Sequence, residues 1–203
     1  MGLTLTKSFQ MENNIDNNKS KVDRSKKMML WFGMISLTMS FLGITSGYIV
    51  SKERADWLTD FQIPEAFYIS LFIILLSSIT FYYAKKYVIA QQKKQGMIFL
   101  IITFLLGIIF IILQFKGFSE IISSGYFFTG SESTITTSFI YLVVLLHLTH
   151  MLAALISVLV VIYNHYKQRY TIGNTVGIEI AATFWHFVDV LWIYLFLFFY
   201  FVR

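Results

Sequence analysis

Cysteine is absent from the 203 residues. Disulfides, thiolate zinc sites, iron–sulfur clusters and cysteine nucleophiles are therefore excluded. Proline occurs once, at Pro64. Charge is scarce as well: 13% of the residues are charged, against about a quarter in a soluble domain. A chain with so little polar surface cannot hide its apolar residues in a water-soluble core, and a membrane has to act as part of its solvent. There is no internal repeat, P-loop or Gly-rich phosphate cradle.

What is present is apolar: 57% of the residues are hydrophobic and 18% aromatic, with a mean hydropathy of +0.67. Residues 1–27 are the exception, a polar Asn- and Lys-rich stretch read as a solvated, disordered cytoplasmic arm. Five apolar runs follow, at about 29–50, 66–84, 97–115, 138–163 and 180–202, each of 19 or more residues. A helix of about 20 residues crosses ~30 Å of hydrocarbon. The chain is thus predicted to be an all-α membrane protein whose domain, 28–203, has five transmembrane helices. Ser, Thr and Gly within the runs are tolerated, because intramembrane helices pack closely through small residues. The first run is too long for a signal peptide, whose apolar part is ~7–15 residues, and it lies behind the arm. Pro64 stands just before the second run, where proline suits a helix start. Trp57 and Tyr87, just beyond helix ends, fit an interfacial aromatic belt.

The basic residues orient the chain. The arm carries Lys7, Lys19, Lys21, Arg24, Lys26 and Lys27; the link after the second run carries Lys85, Lys86, Lys93 and Lys94; the link after the fourth carries Lys167 and Arg169. Only Lys52, Arg54, Lys116 and Arg203 fall on the other side. The positive-inside rule places the N-terminus in the cytoplasm and the C-terminus outside. The net charge of +5 is therefore topological: it attracts anionic lipid headgroups and does not imply nucleic acid.

Ionisable groups inside a bilayer are expensive and mark function or pairing. His147 and His150 in the fourth run share a face at i, i+3, as do His186 and Asp189 in the fifth. Glu179, at the cytoplasmic edge of the fifth run, is seven residues from His186 and on the same side. At 1.5 Å per residue, His150 lies ~20 Å and Asp189 ~14 Å from the inner boundary. These positions predict a buried polar seam between helices four and five, in which Asp189 or Glu179 accepts a hydrogen bond from a histidine. Three readings stay open on the residues alone: a metal site, haem ligation by paired histidines, and a structural seam or polar pocket for a lipid headgroup. The aromatics of helix five (Phe184, Trp185, Phe187, Trp192, Tyr194, Phe196) read as lipid-facing or packing residues.

The run Trp185-His186-Phe187-Val188-Asp189-Val190-Leu191-Trp192 resembles the WHFVDVVW motif of cytochrome c oxidase subunit III. Glu179, seven residues before His186, stands where that family has its FE element, and His147-Leu148-Thr149-His150 matches its HGLH spacing. Ile112-Leu113-Gln114 through Glu120 resembles the LLQ…E run that closes the preceding helix, and the second run, with Leu76-Ser77-Ser78, resembles the family's helix with small polar residues. The resemblance covers about 28–203, tightly over 176–194 and loosely before 110. It is to the short bacterial form, which lacks the first two helices of the mitochondrial one. One departure stands out: Ile35-Ser36-Leu37-Thr38 puts Leu37 where the family tends to have a Glu, so helix one contains no acid.

The resemblance implies a non-catalytic subunit of a respiratory haem–copper oxidase in the bacterial inner membrane. Haems and copper are expected in subunits I and II, since four His and no Cys cannot furnish those sites, and no metal or cofactor is expected on this chain. The implied role is to flank subunit I, bind phospholipid and support proton uptake and stability, with a cytochrome-containing supercomplex as a wider partner. His147, His150, Glu179 and His186 would shape the polar seam, and Asp189 and Trp192 would fix the helix. A subunit of a quinol oxidase, or an accessory subunit of a nitric oxide reductase, is an alternative within the same superfamily. An independent transporter is an alternative of another class, against which stand the uninterrupted helices and their odd number.

Overall fold

The computed structural model describes residues 2–54, 57, 63–126, 128, 134–170 and 175–202, with side chains from residue 17 onward. Five helices account for most of them: α1 (Gly2–Val50), α2 (Glu65–Ile89), α3 (Lys93–Ser123), α4 (Ile135–Tyr166) and α5 (Val176–Val202), with one 3₁₀ turn at Ser51–Glu53. All five are long and apolar enough to cross a membrane, and no strand occurs among the described residues. The chain is a multi-pass membrane protein. Each helix outruns its apolar window by up to a turn or more, because the backbone hydrogen-bond ladder continues past the hydrocarbon boundary.

Two compact units are distinguished, residues 1–38 and 39–203. The first is wholly α-helical from Gly2. Between Gly2 and Gly33 there is neither glycine nor proline. A ladder nucleated in the apolar stretch can therefore propagate outward at one bond per residue. The arm's residues 17–27 are, as expected, largely exposed.

The second unit holds the end of α1 and all of α2–α5. α2 and α3 form an antiparallel hairpin closed by residues 90–92. Pro64 caps the start of α2, where its missing N–H is no loss, and the Ala66 N–H donates to the Glu120 carboxylate at 3.4 Å, tying that start to the end of α3. At the opposite end, His165 Nε2–H donates to the Lys93 carbonyl at 3.0 Å, tying α4 to the first residue of α3. Thr134 caps α4 in a reciprocal capping box with Thr137.

Close approach within this unit depends on small residues along one face of α3. A Cβ at Gly107 would stand 2.8 Å from both Leu155 and Trp185, and one at Gly117 would collide with the Phe67 ring. The packing substitutes for a hydrophobic driving force that lipid does not supply. Across it run the polar ties Thr80–Thr103 (2.9 Å) between α2 and α3, Trp185 Nε1–H to Ser77 Oγ (3.0 Å) between α5 and α2, and Thr45–Tyr194 (3.0 Å) between α1 and α5. Trp57 packs edge-on against Tyr48 at 4.6 Å, and Tyr87 stacks on Phe99 at 5.2 Å.

Candidate functional site

The polar residues singled out in helices four and five separate into two neighbourhoods. His147 is fully buried. Its ring stacks on Trp192 at 5.0 Å and 29°, and Phe110 of α3 meets both rings edge-on, at 5.9 Å from His147 and 5.3 Å from Trp192. Phe67 of α2 closes Trp192 from another side at 5.6 Å. Trp192 is thus the point where α2, α3 and α4 all touch α5. Neither nitrogen of His147, nor Nε1 of Trp192, makes a hydrogen bond to the protein.

Gln114 belongs to the same neighbourhood. It is fully buried on the face of α3 between Phe110 and Gly117, whose neighbours are Trp192 and Phe67. Neither end of its amide has a protein partner. A pocket of about 10 Å³ is lined by Ile63, Phe67, Ile140, Trp192, Phe196 and Phe199. That volume is at the lower limit for one water, and its apolar walls offer no partners.

The second neighbourhood lies between α5 and α2. His186 is half-buried, and its Nδ1 is 2.7 Å from the Ser78 hydroxyl of α2. Asp189, three residues on, is buried, and its carboxyl lies near the same Ser78 hydroxyl. Phe81 and Trp185 line the adjoining part of this contact.

The expected seam between helices four and five is therefore not how these groups meet. His150 sits one turn from His147 but meets a different neighbour. Its Nδ1–H donates to the Leu146 carbonyl of its own helix at 2.7 Å, and its ring packs edge-on against Phe41 of α1 at 5.9 Å. Glu179 accepts from Thr175 Oγ1 at 2.8 Å. The hydrogen bonds of the two half-buried histidines go to a serine and a backbone carbonyl, and no carboxylate takes part in them. The reason is geometric. Residues three apart on a helix differ by about 60° in direction, enough to send His147 toward Trp192 and His150 toward Phe41.

Of the helix-five aromatics, Trp185, Trp192 and Phe196 are buried packing residues, and Phe184, Phe187 and Tyr194 are partly buried against the core. Among the described residues, no three His, Asp or Glu side chains converge as they would around a metal ion. Four participants had not been marked as site residues. Ser77, Ser78 and Gln114 were visible only as small or polar interruptions of apolar runs, and His165 lay near a helix end where a polar group is unremarkable.

The sequence is similar to those of known proteins. The sequence profile of the family described as cytochrome c oxidase subunit III matches residues 56–203. The chain is 30% identical over 195 residues to the cytochrome bo(3) ubiquinol oxidase subunit 3 of Buchnera aphidicola subsp. Acyrthosiphon pisum (strain APS), covering 93% of this chain and 92% of that one. It is 26% identical over 185 residues to cytochrome c oxidase subunit 3 of Bacillus sp. (strain PS3), covering 89% and 87%. With cytochrome c oxidase subunit 3 of Loxodonta africana it is 34% identical over 128 residues, or 62% of this chain and 46% of that longer one.

Proposed function

Because the chain belongs to the cytochrome c oxidase subunit III family, and so is a membrane-embedded subunit of a haem–copper oxidase, we propose that it flanks the haem-bearing subunit I without catalysing electron transfer itself. In this reading the haems and copper reside in subunits I and II. The N-terminus faces the cytoplasm and the C-terminus the periplasm of a bacterial inner membrane, as the distribution of Lys and Arg supports. The chain holds phospholipid and sustains proton uptake and turnover of its neighbour. The observation that carries the proposal is the family match over residues 56–203, which contains the aromatic packing of Trp192 on His147.

Within this role the side chains divide. His147 and Trp192 fix the packing of α4 against α5, and Asp189 that of α5 against α2. The half-buried His150 and Glu179 are placed to meet phospholipid, Glu179 at the headgroup level near the start of α5. Relatives of both kinds, cytochrome c oxidase and ubiquinol oxidase subunits, favour keeping a quinol-oxidising complex as a second reading.

Purification in mild detergent tests the proposal. A haem-bearing polypeptide is expected beside the chain, and the purified complex is then offered reduced cytochrome c and quinol in turn. Replacing Asp189→Leu or His150→Leu should lower subunit retention or phospholipid content and leave the haem spectrum unchanged. Absence of any haem-bearing companion, or oxygen reduction by the isolated chain, would overturn it.

A further inference from the structure

We propose that Asp189, Ser78 and His186 form one proton-binding site across the contact of α2 and α5. In it the Asp189 carboxyl keeps its proton and donates it to Ser78 Oγ, and the Ser78 hydroxyl donates in turn to Nδ1 of His186. The site requires only that the chain spans a membrane, and it is independent of the role proposed above.

Asp189 is the fourteenth residue of the 27-residue α5, and Ser78 is the fourteenth of the 25-residue α2. Both stand at the middle of a span. Asp189 is 2% exposed, and among the described residues no cation pairs with its carboxyl. A carboxylate there would lack both water and a counter-ion, the most expensive state open to it. The neutral acid removes that cost, and it has one O–H to place.

Ser78 is where the O–H can go. The carboxyl lies near its hydroxyl, and the same hydroxyl is 2.7 Å from His186 Nδ1. Other hydroxyls of α2 are committed elsewhere: Ser70 and Thr80 donate to the carbonyls of Phe67 and Ser77, and Ser77 accepts from Trp185. A serine has one proton and two lone pairs. An ionised Asp189 and a lone pair on Nδ1 would compete for that one proton. A protonated Asp189 ends the competition, because it donates into Oγ and leaves Ser78 free to donate to Nδ1. The result is an uncharged chain in which each proton between the three residues has an acceptor.

The same number of protons admits one other arrangement. Transfer from Asp189 to Oγ, with transfer from Oγ to Nδ1, would leave a carboxylate at one end and an imidazolium at the other. Lys85 opposes it. This lysine stands seven residues beyond Ser78, two turns along the same side of α2, and its charge acts on the His186 ring. An imidazolium would meet a like charge in addition to losing water, and two buried charges are costlier than none. The proton therefore rests on Asp189. In both arrangements the site as a whole is neutral, so one acidic proton is held at mid-membrane without net charge entering the hydrocarbon.

The remaining intramembrane histidines lack these parts. His147 is packed between Phe110 and Trp192, and His150 donates to the Leu146 carbonyl. Neither is hydrogen-bonded to a hydroxyl that faces an acid.

Infrared spectroscopy of the full chain in phospholipid vesicles, with isotope-labelled aspartate carboxyls, tests the site. At neutral pH the wild type should show the carbonyl band of a protonated aspartic acid. The band should be lost in Asp189→Asn and displaced to higher frequency in Ser78→Ala, where the acid has no acceptor. A wild-type spectrum with ionised aspartate bands alone overturns the proposal, as does a protonated band that survives Asp189→Asn. Nitrogen NMR of isotope-labelled histidine in the wild type gives a second readout that does not depend on how the variants fold. The His186 ring should be neutral, with its proton on Nε2 and with Nδ1 an acceptor. A doubly protonated ring, or a proton on Nδ1, contradicts the assignment.

Discussion

Around His147 the protein is closed, and around His186 it is open. His147 is clasped by Trp192 and Phe110, with no protein hydrogen bond to either nitrogen. His186 holds one hydrogen bond at 2.7 Å and keeps its other nitrogen unenclosed. The same residue type serves as a flat ring in one place and as a polar handle in the other. In a membrane, what an imidazole does is set less by its depth than by whether aromatic rings or hydroxyls are packed against it.

The comparison can be broken most forcefully at Trp192, where three helices meet the fifth. Trp192→Ala should cost about 3–5 kcal/mol of stability, the range for deleting a large buried aromatic, as measured by reversible unfolding of the chain in detergent. A loss below 1 kcal/mol would mean that the aromatic clasp is not what holds the closed region. Next in size is Gly117→Val. The added side chain would run into Phe67, which itself packs on Trp192, and overpacking of this kind costs about 1–3 kcal/mol. The same unfolding assay should place it between the other variants.

In the open region, Ser78→Ala removes the partner of His186 Nδ1. It should lower stability by about 0.6 kcal/mol, the average for an intramembrane hydrogen bond, and a double-mutant cycle with His186→Leu isolates that coupling. Smallest of all should be His147→Phe. Phenylalanine keeps a ring against Trp192 and deletes two nitrogens that bond to nothing in the protein, so stability should stay within about 1 kcal/mol of wild type. A large loss there would show that the closed region depends on polarity after all, and the contrast with His186 would vanish.

Much of this was open to reading before any coordinates. The five spans, the helix start at Pro64 and the importance of the block Trp185–Trp192 follow from run length and motif. The arm over 1–27 is helical from Gly2 in the structure. Its Asn- and Lys-rich composition argues for solvation, which the exposed side chains of 17–27 agree with, but solvation does not prevent a helix that is already nucleated next door. A histidine was expected to donate to Asp189 or Glu179, and neither half-buried imidazole is hydrogen-bonded to one directly. The structure gives them Leu146 and Ser78 instead, and the Ser78 hydroxyl is inconspicuous in an apolar run. Gln114 escaped for the same reason, since one amide in α3 says nothing of its place between Phe110 and Gly117.

Hydropathy and helix length were enough to establish that this chain lives in a bilayer with its ends set by five crossings. Both depend on the solvent and on local backbone geometry, which read directly from residue type and spacing. Which imidazole is sealed and which stays available was decided only when α2 and α3 came to lie against α5. Those contacts join residues more than seventy positions apart, and a rotation of 60° about a helix axis is enough to exchange one neighbour for another.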